Sequence, residues 1–262
     1  MLKPLAKRIF SAMGLEVRQK SGRRASMTQS LYHLAKLGFK PDVIIDVGTA
    51  YGTEQLLEVY PDVRYLWIEA LKEFEPTIQQ LANKYTGDYL ISAAGSEEGE
   101  ISIHVHDALT GSSVYEEEDG QEADGKARTI PMTTLDAIKD RYKLDQSSLL
   151  KIDVQGAELE VLKGAKSILP SCEVILLEVS LFQFQKGAPE FYDIVAYLKE
   201  IGYVVYDLVD GHNRPYDGAL AQKDLVFVKE NGRFRTSHKW ASENETRLAT
   251  EKNNQSKLNH SI

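Results

Sequence analysis

Cysteine is nearly missing from this chain: Cys172 is the only one in 262 residues. No internal disulfide can form, and a cysteine-built metal site is excluded. A reducing, cytoplasmic setting is the expectation that follows. Long apolar runs are also missing. The richest stretch, Val174 to Phe182, is interrupted by Glu178 and falls short of the roughly 18–20 residues that cross a bilayer. A secretory leader is not expected either, because the apolar segment Ile9 to Leu15 is short and is broken by Ser11 and Gly14. Nor is there an excess of positive charge. The 31 basic residues face 39 acidic ones, for a net charge of −8, which argues against nucleic acid as a partner.

What is present is the balance of a globular protein, with 42% hydrophobic and 27% charged residues. The charge is unevenly spread. Residues 1–24 carry Lys3, Lys7, Arg8, Arg18, Lys20, Arg23 and Arg24 against Glu16 alone. Leu2, Leu5, Ile9 and Met13 share one helical face there. The segment reads either as a helix packed on the body or as an arm for peripheral contact with an anionic membrane or a partner. We expect this arm over 1–27, one domain over 28–231, and a polar, poorly ordered tail over 232–262.

Within the domain, the spacing of apolar residues predicts a helix over Thr28–Leu37 and a buried strand over Val43–Val47. A helix over Thr53–Val59, a strand over Val63–Ile68, a helix marked by Phe74, Ile78, Leu81 and Tyr85, and a strand over Tyr89–Ala93 follow. Alternating strands and helices at these connection lengths imply parallel pairing in a doubly wound α/β sheet. Ile101, Ile103 and Val105 alternate with polar residues in a half-exposed strand. Ala127–Met132 is its expected partner, with Pro131 suggesting an edge. Six acids crowd residues 116–124, and a solvated loop is expected. Then come a strand at Leu149–Val154, a helix at Ala157–Leu169, a strand at Val174–Val179 and a helix over Phe191–Ile201. Strands at Tyr203–Leu208 and Leu225–Val228 close the domain. The connection between these last two lacks a helical pattern, so they are expected to be antiparallel.

Asp46-Val47-Gly48-Thr49-Ala50-Tyr51-Gly52 leaves the first strand and opens a helix. Ligands of open parallel sheets sit beyond such strand ends. Gly48 and Gly52 permit a tight turn close to a ligand. The dinucleotide fingerprint and the phosphate-loop lysine are both missing, which weighs against a nicotinamide-dependent oxidoreductase. Glu69 ends the second strand, 23 positions after Asp46, near the offset at which an acid holds ribose hydroxyls. Two acids around a glycine loop without a phosphate cradle suit a nucleoside without phosphates, and S-adenosylmethionine is such a ligand.

The most distinctive stretch is Lys151-Ile152-Asp153-Val154-Gln155-Gly156-Ala157-Glu158, running on to Leu162-Lys163-Gly164-Ala165. An acid at the end of a buried strand needs a partner, so Asp153 faces either a site or a cation, Lys151 being at hand. This block resembles the signature of the FkbM-family methyltransferases, Lys-Ile-Asp-Val-Glu-Gly-Ala-Glu, over roughly residues 30–230. Asp46-Val47-Gly48 resembles that family's cofactor loop, and Leu177-Glu178-Val179 its next strand end. Gln155 departs from the family's glutamate, keeping hydrogen bonding but not charge.

The resemblance implies a Rossmann-like class I methyltransferase fold and S-adenosylmethionine as donor, held around Asp46, Gly48, Thr49, Gly52, Glu69, Ala93, Ala94 and Ser113. It also implies a sugar, glycan or natural-product hydroxyl as acceptor. Asp153 and then Glu178 are the expected catalytic carboxylates, with Glu178 as base or orienting acceptor. Ser113 belongs to a Gly111-Ser112-Ser113 loop like one that precedes the signature in relatives. A non-catalytic nucleoside-binding scaffold of the same fold is the alternative.

His104 and His106 lie on one strand face beside Asp107. An exposed polar face is the simpler reading of them than a metal site, and no metal is expected. His212, Asn213, Arg214 and Tyr216 are candidates for the acceptor mouth. An active-site Pro-Cys loop for cytosine-carbon methylation and an Asn-Pro-Pro-Tyr motif for amino-nitrogen methylation are both missing.

Overall fold

A computed structural model describes residues 24–118, 120 and 124–259; the proposed basic arm, apart from its last residues 24–27, lies outside them. Ser26 accepts a hydrogen bond from the Gln29 amide and caps α1 (Met27–Lys36), which buries Leu31 and Leu34. The chain continues through β1 (Val43–Val47), α2 (Glu54–Val59), β2 (Arg64–Glu69), α3 (Glu75–Lys84) and β3 (Gly87–Ile91). A small excursion follows, made of β4 (Ala93–Ala94), β5 (Gly99–Val105) and β6 (Lys126–Thr133). The main fold resumes with α4 (Leu135–Tyr142), β7 (Ser148–Ile152), α5 (Glu158–Lys163), β8 (Cys172–Ser180) and α6 (Phe191–Glu200). It closes with β9 (Tyr203–Asn213) and β10 (Leu220–Lys229), and α7 (Glu243–Asn259) follows.

Seven strands form one sheet in the order β3-β2-β1-β7-β8-β10-β9. Pairing is parallel from β3 to β8, whereas β10 runs antiparallel to both β8 and β9. This is the doubly wound, mostly parallel sheet expected, with the strand order reversing between β1 and β7. All five residues of β1 are buried because both of its faces are covered. Val43, Ile45 and Val47 pack with residues of α4, α5 and α6, while Ile44 joins the core under α1, α2 and α3.

Strand alternation then fixes the polar side chains. Asp46, Lys151, Glu178 and Asp224 each stand two residues from a member of the α1–α3 core (Ile44, Leu149, Leu176 and Val226) and therefore share that face. Register brings them together in two neighbouring rows: Asp46 is opposite Lys151, which is opposite Leu176, and two residues further along Glu178 is opposite Asp224.

Several elements differ from expectation. The strand expected over Tyr89–Ala93 is cut at Ser92: its first part pairs with β2, and Ala93–Ala94 pairs with β6 instead. Pro131 is not in an edge strand, because β6 lies between β4 and β5. However, β4 reaches only Met132 and Thr133, so the missing amide of Pro131 deprives no ladder. Helix α4 was not expected, although Leu135, Ile138 and Tyr142 are buried and Thr134 caps Ala137.

The helix expected to reach Leu169 stops at Lys163. The next residue, Gly164, lies against β4, where a Cβ would stand 2.0 Å from the Gly95 carbonyl oxygen. Within the tail, Glu243–Asn259 are helical. Ser242 and Glu245 cap each other's amides, at 3.3 and 2.9 Å. No described helix is long and apolar enough to cross a membrane.

Candidate active site

Two loops close over the strand-order reversal. The β1 loop turns at Gly48, whose φ is +76°, and a Cβ there would stand 1.7 Å from the Asp153 carbonyl oxygen. The Asp153 amide donates to the Val47 carbonyl at 3.0 Å. Only a glycine lets the two turns meet this closely. Between them and the end of β2 opens a cavity with about 800 Å3 of free space, open solvent at its mouth included. Gly48, Ala50, Glu69, Leu71, Phe74, Ala93 and Ala94 line one part of it, and Leu109 to Ser112, Asp153, Val154 and Gln155 line another.

Glu69 is buried, yet both of its oxygens are engaged: Oε2 accepts the Ala50 amide at 2.8 Å and Oε1 the Leu71 amide at 2.9 Å. Burial raises its pKa and these amides oppose the shift. A carboxylate has about four acceptor positions, so two remain for hydroxyl donors. Among the described residues the lining contains two acids, Glu69 and Asp153, and no lysine or arginine. That donor set fits a phosphate-free nucleoside carrying positive charge and does not fit a pyrophosphate.

Asp46 does not line the cavity. It lies beneath it, 1% exposed, with Oδ1 3.2 Å from the Thr53 hydroxyl and 3.4 Å from Lys151 Nζ, while Oδ2 has no hydrogen-bond partner among the described residues. Burial raises its pKa against the pull of Lys151. Lys151 Nζ also lies 3.3 Å from Asp153 Oδ2. Burial opposes the ammonium charge, but Asp153 and Asp46 together hold Lys151 above the ordinary lysine value. The two acids thus meet through a shared cation.

Thr49 and Gly52 build the loop rather than the cavity wall. The Thr49 hydroxyl donates to the Asp46 carbonyl at 2.8 Å, and a Cβ on Gly52 would stand 2.7 Å from Leu81. Ser113, also off the wall, ties the Gly-Ser-Ser loop to the signature turn. Its hydroxyl donates to the Gln155 carbonyl at 2.6 Å.

Glu178 stands outside the cavity lining and connects to it through Gln155. Gln155 Nε2 donates to Asp153 Oδ1 at 3.0 Å and to Glu178 Oε2 at 3.1 Å, and Gln222 Nε2 reaches the same Glu178 oxygen at 2.9 Å. Burial, then Asp153 and Asp224, push Glu178 up to about 8. Burial and Asp153 push Asp224 up to about 6. Burial also pushes Glu158 up to about 7, although its Oε1 accepts the amides of Val154 and Gly156 at 3.2 and 3.1 Å. The sequence reading did not single out Gln222, Asp224 or Glu158 as site residues. Asp224 needs the β8–β10 register to be placed, whereas Glu158 carried a signal in its position three residues into the turn after Gln155.

The histidines belong to a different structure. His104 pairs with Asp124 at 3.0 Å, and His106 lies 3.7 Å from Glu117. The described part of the acid-rich loop is therefore partly tied down rather than freely solvated. Its strand also bridges to the segment after β8, where the Glu118 amide donates to the Phe184 carbonyl at 2.8 Å. Among the described residues no cluster of three or more His, Cys, Asp or Glu is arranged for a metal. Arg214 lies over the Phe182 ring, 3.8 Å from its centroid, and is clamped by Asp217 at the exposed end of the β9–β10 hairpin. His212, Asn213 and Tyr216 are exposed there too.

Solved structures resemble this one only distantly. Magnesium protoporphyrin IX methyltransferase from Synechocystis PCC 6803 with bound SAM shares 11% identity, covering 77% of this chain and 76% of its own, at a TM-score of 0.44. TrmK from M. capricolum in complex with S-adenosyl-homocysteine shares 10% identity, covering 89% and 87%, at 0.43. No curated protein sequence matches the chain significantly. The sequence profile of the methyltransferase FkbM domain matches residues 46–205, from the first loop acid to β9. That span is more than half of the chain and contains both glycine turns, the cavity and the acid pair. The chain therefore belongs to the FkbM methyltransferase family, and it is an S-adenosylmethionine-dependent methyltransferase.

Proposed function

We propose that this methyltransferase acts on a hydroxyl oxygen of a sugar, glycan or natural-product acceptor, with Glu178 receiving the hydroxyl proton. The observation that carries the reading is the Asp153–Gln155–Glu178 chain, which joins the cavity to a carboxylate pushed up to about 8. A base works best when its proton affinity lies near the working pH, and an alcohol needs one because it is a weak nucleophile at neutral pH.

When bound, S-adenosylmethionine supplies a methyl group on a positively charged sulfur, already activated for displacement. Glu69 would hold the ribose hydroxyls, and the backbone at Gly48 and Ala93 would border the nucleoside. The negative wall at Asp153 favours a cationic centre over a neutral one. Asp153, held by Lys151 and Gln155, orients the acceptor side, and Glu178 takes the proton as the new carbon–oxygen bond forms. The lining between Phe74 and Ile103 is largely apolar and keeps water from competing.

The test is a panel of glycans and hydroxylated natural products incubated with S-adenosylmethionine and read by mass spectrometry. We expect a gain of one methylene on an oxygen. Glu178→Gln is expected to lower kcat by about 10²–10⁴ while retaining S-adenosylhomocysteine binding. Methylation confined to nitrogen or carbon acceptors would remove the hydroxyl reading.

A further inference from the structure

Gln155 carries more than a turn residue needs to. Its backbone sits at φ +54°, in the left-handed region where few non-glycine residues are found. Its carbonyl anchors Ser113. Its amide nitrogen has two hydrogens, and these meet two carboxylates, Asp153 at 3.0 Å and Glu178 at 3.1 Å. With the nitrogen in that place one amide group donates to both carboxyl groups, which its oxygen could not do. Gln155 lines the cavity whereas Glu178 does not, so this side chain links the cavity wall to the buried acid.

The groups around Glu178 come from several elements. Asp224 and Gln222 face it from β10, Asp153 from the turn after β7, and Glu158 from α5. Lys151 is held away from it, by Asp153 and Asp46. The acids and burial favour a protonated Glu178, and the two glutamine amides favour the charged form. A glutamate at 155 would put a third carboxylate within hydrogen-bond distance of the other two. Such a trio needs an extra proton or a cation, and the amide needs neither.

We propose that Gln155 is the positioning residue of the acid pair: its two amide hydrogens hold Glu178 and Asp153 together and set the pH at which Glu178 accepts a proton. The proposal rests on the reading of Glu178 as the proton acceptor, and the following experiment separates the two.

The full chain, labelled with 13C at aspartate and glutamate carboxyls and saturated with S-adenosylhomocysteine, is titrated by NMR. The Glu178 signal is identified by its loss in Glu178→Gln. In Gln155→Met the midpoint is expected to rise by about one unit, a tenfold gain in proton affinity. In Gln155→Glu it is expected to rise and to spread over two steps shared with the new carboxylate. Gln155→Asn, which keeps an amide one methylene shorter and tolerates the left-handed backbone, is expected to behave as Met does and serves if Met does not fold. A Glu178 midpoint unmoved in folded variants overturns the positioning role and leaves Glu178 as base. A wild-type midpoint in the ordinary glutamate range overturns the reading of Glu178 itself.

Discussion

Between Asp46 and Asp153 a buried ammonium does what neither acid could do for itself. Taking an ion out of water costs several kcal/mol, and removing one member of a buried pair costs about 3–5 kcal/mol because its partner stays charged and dry. Lys151→Met is therefore expected to destabilise the protein by about that amount in urea unfolding. Adding Asp46→Asn is expected to recover part of it, a non-additivity that a double-mutant cycle reads directly. The raised acids give a second prediction with a definite sign. Glu178 and Glu158 hold protons in the folded state up to about 8 and about 7, above the ordinary glutamate value. The folded chain thus binds more protons than the unfolded one between roughly pH 5 and 8. Stability from these groups is complete below that window and is lost as pH rises through it. Urea midpoints are expected to fall from pH 5.5 to 8.5, and to fall less in Glu178→Gln; an equal fall in both proteins would remove Glu178 as a source. Turnover follows the opposite trend, because the base must be deprotonated.

At the level of the element, the site is made by turns rather than by strands. β1 and β7 bring their ends side by side, but only the turn at Gly48 lets the Asp153 carbonyl approach. Gly48→Ala is expected to abolish S-adenosylhomocysteine binding in calorimetry and to lower stability. Gly187→Ala serves as the contrast. Its φ of +78° is similar, yet a Cβ there meets nothing within 4 Å, so only the backbone strain of about 1–2 kcal/mol is expected, with binding retained. Much of this level was legible in the sequence. Apolar periodicity marked β1, β2, β7 and β8, and glycine placement marked both turns. Helix α4 was missed although Leu135, Ile138 and Tyr142 have helical spacing, because the intervening Asp136, Lys139, Asp140 and Arg141 mask the short apolar face. The split at Ser92 was illegible, since only competition between β2 and β6 for the same segment produces it.

For the molecule as a whole, ligand binding and folding are one equilibrium. S-adenosylhomocysteine at a hundred times its Kd is expected to add about 2.7 kcal/mol, visible as a rise of several degrees in Tm. Helix α7 lies outside this economy. Its described side chains are exposed, as is Trp240 before it. Truncation after residue 239 is expected to leave both the urea midpoint and the binding of S-adenosylhomocysteine unchanged. A loss of binding would assign the tail a role at the site.

The sequence by itself determined the alternation of strand and helix, the two glycine turns and the carboxylates at the strand ends, because these follow from local periodicity and backbone freedom. It also carried the family resemblance. Tertiary structure decided which acid meets which partner. Asp46 reaches Lys151 instead of the cavity, and Glu178 meets Asp224, because the registers of β1 on β7 and β8 on β10 place them opposite one another, while Gln222, opposite Ser180, reaches Glu178 from the next pair along. Proton affinity depends on such neighbours and on burial, and neither is a property of a residue in its own stretch of chain.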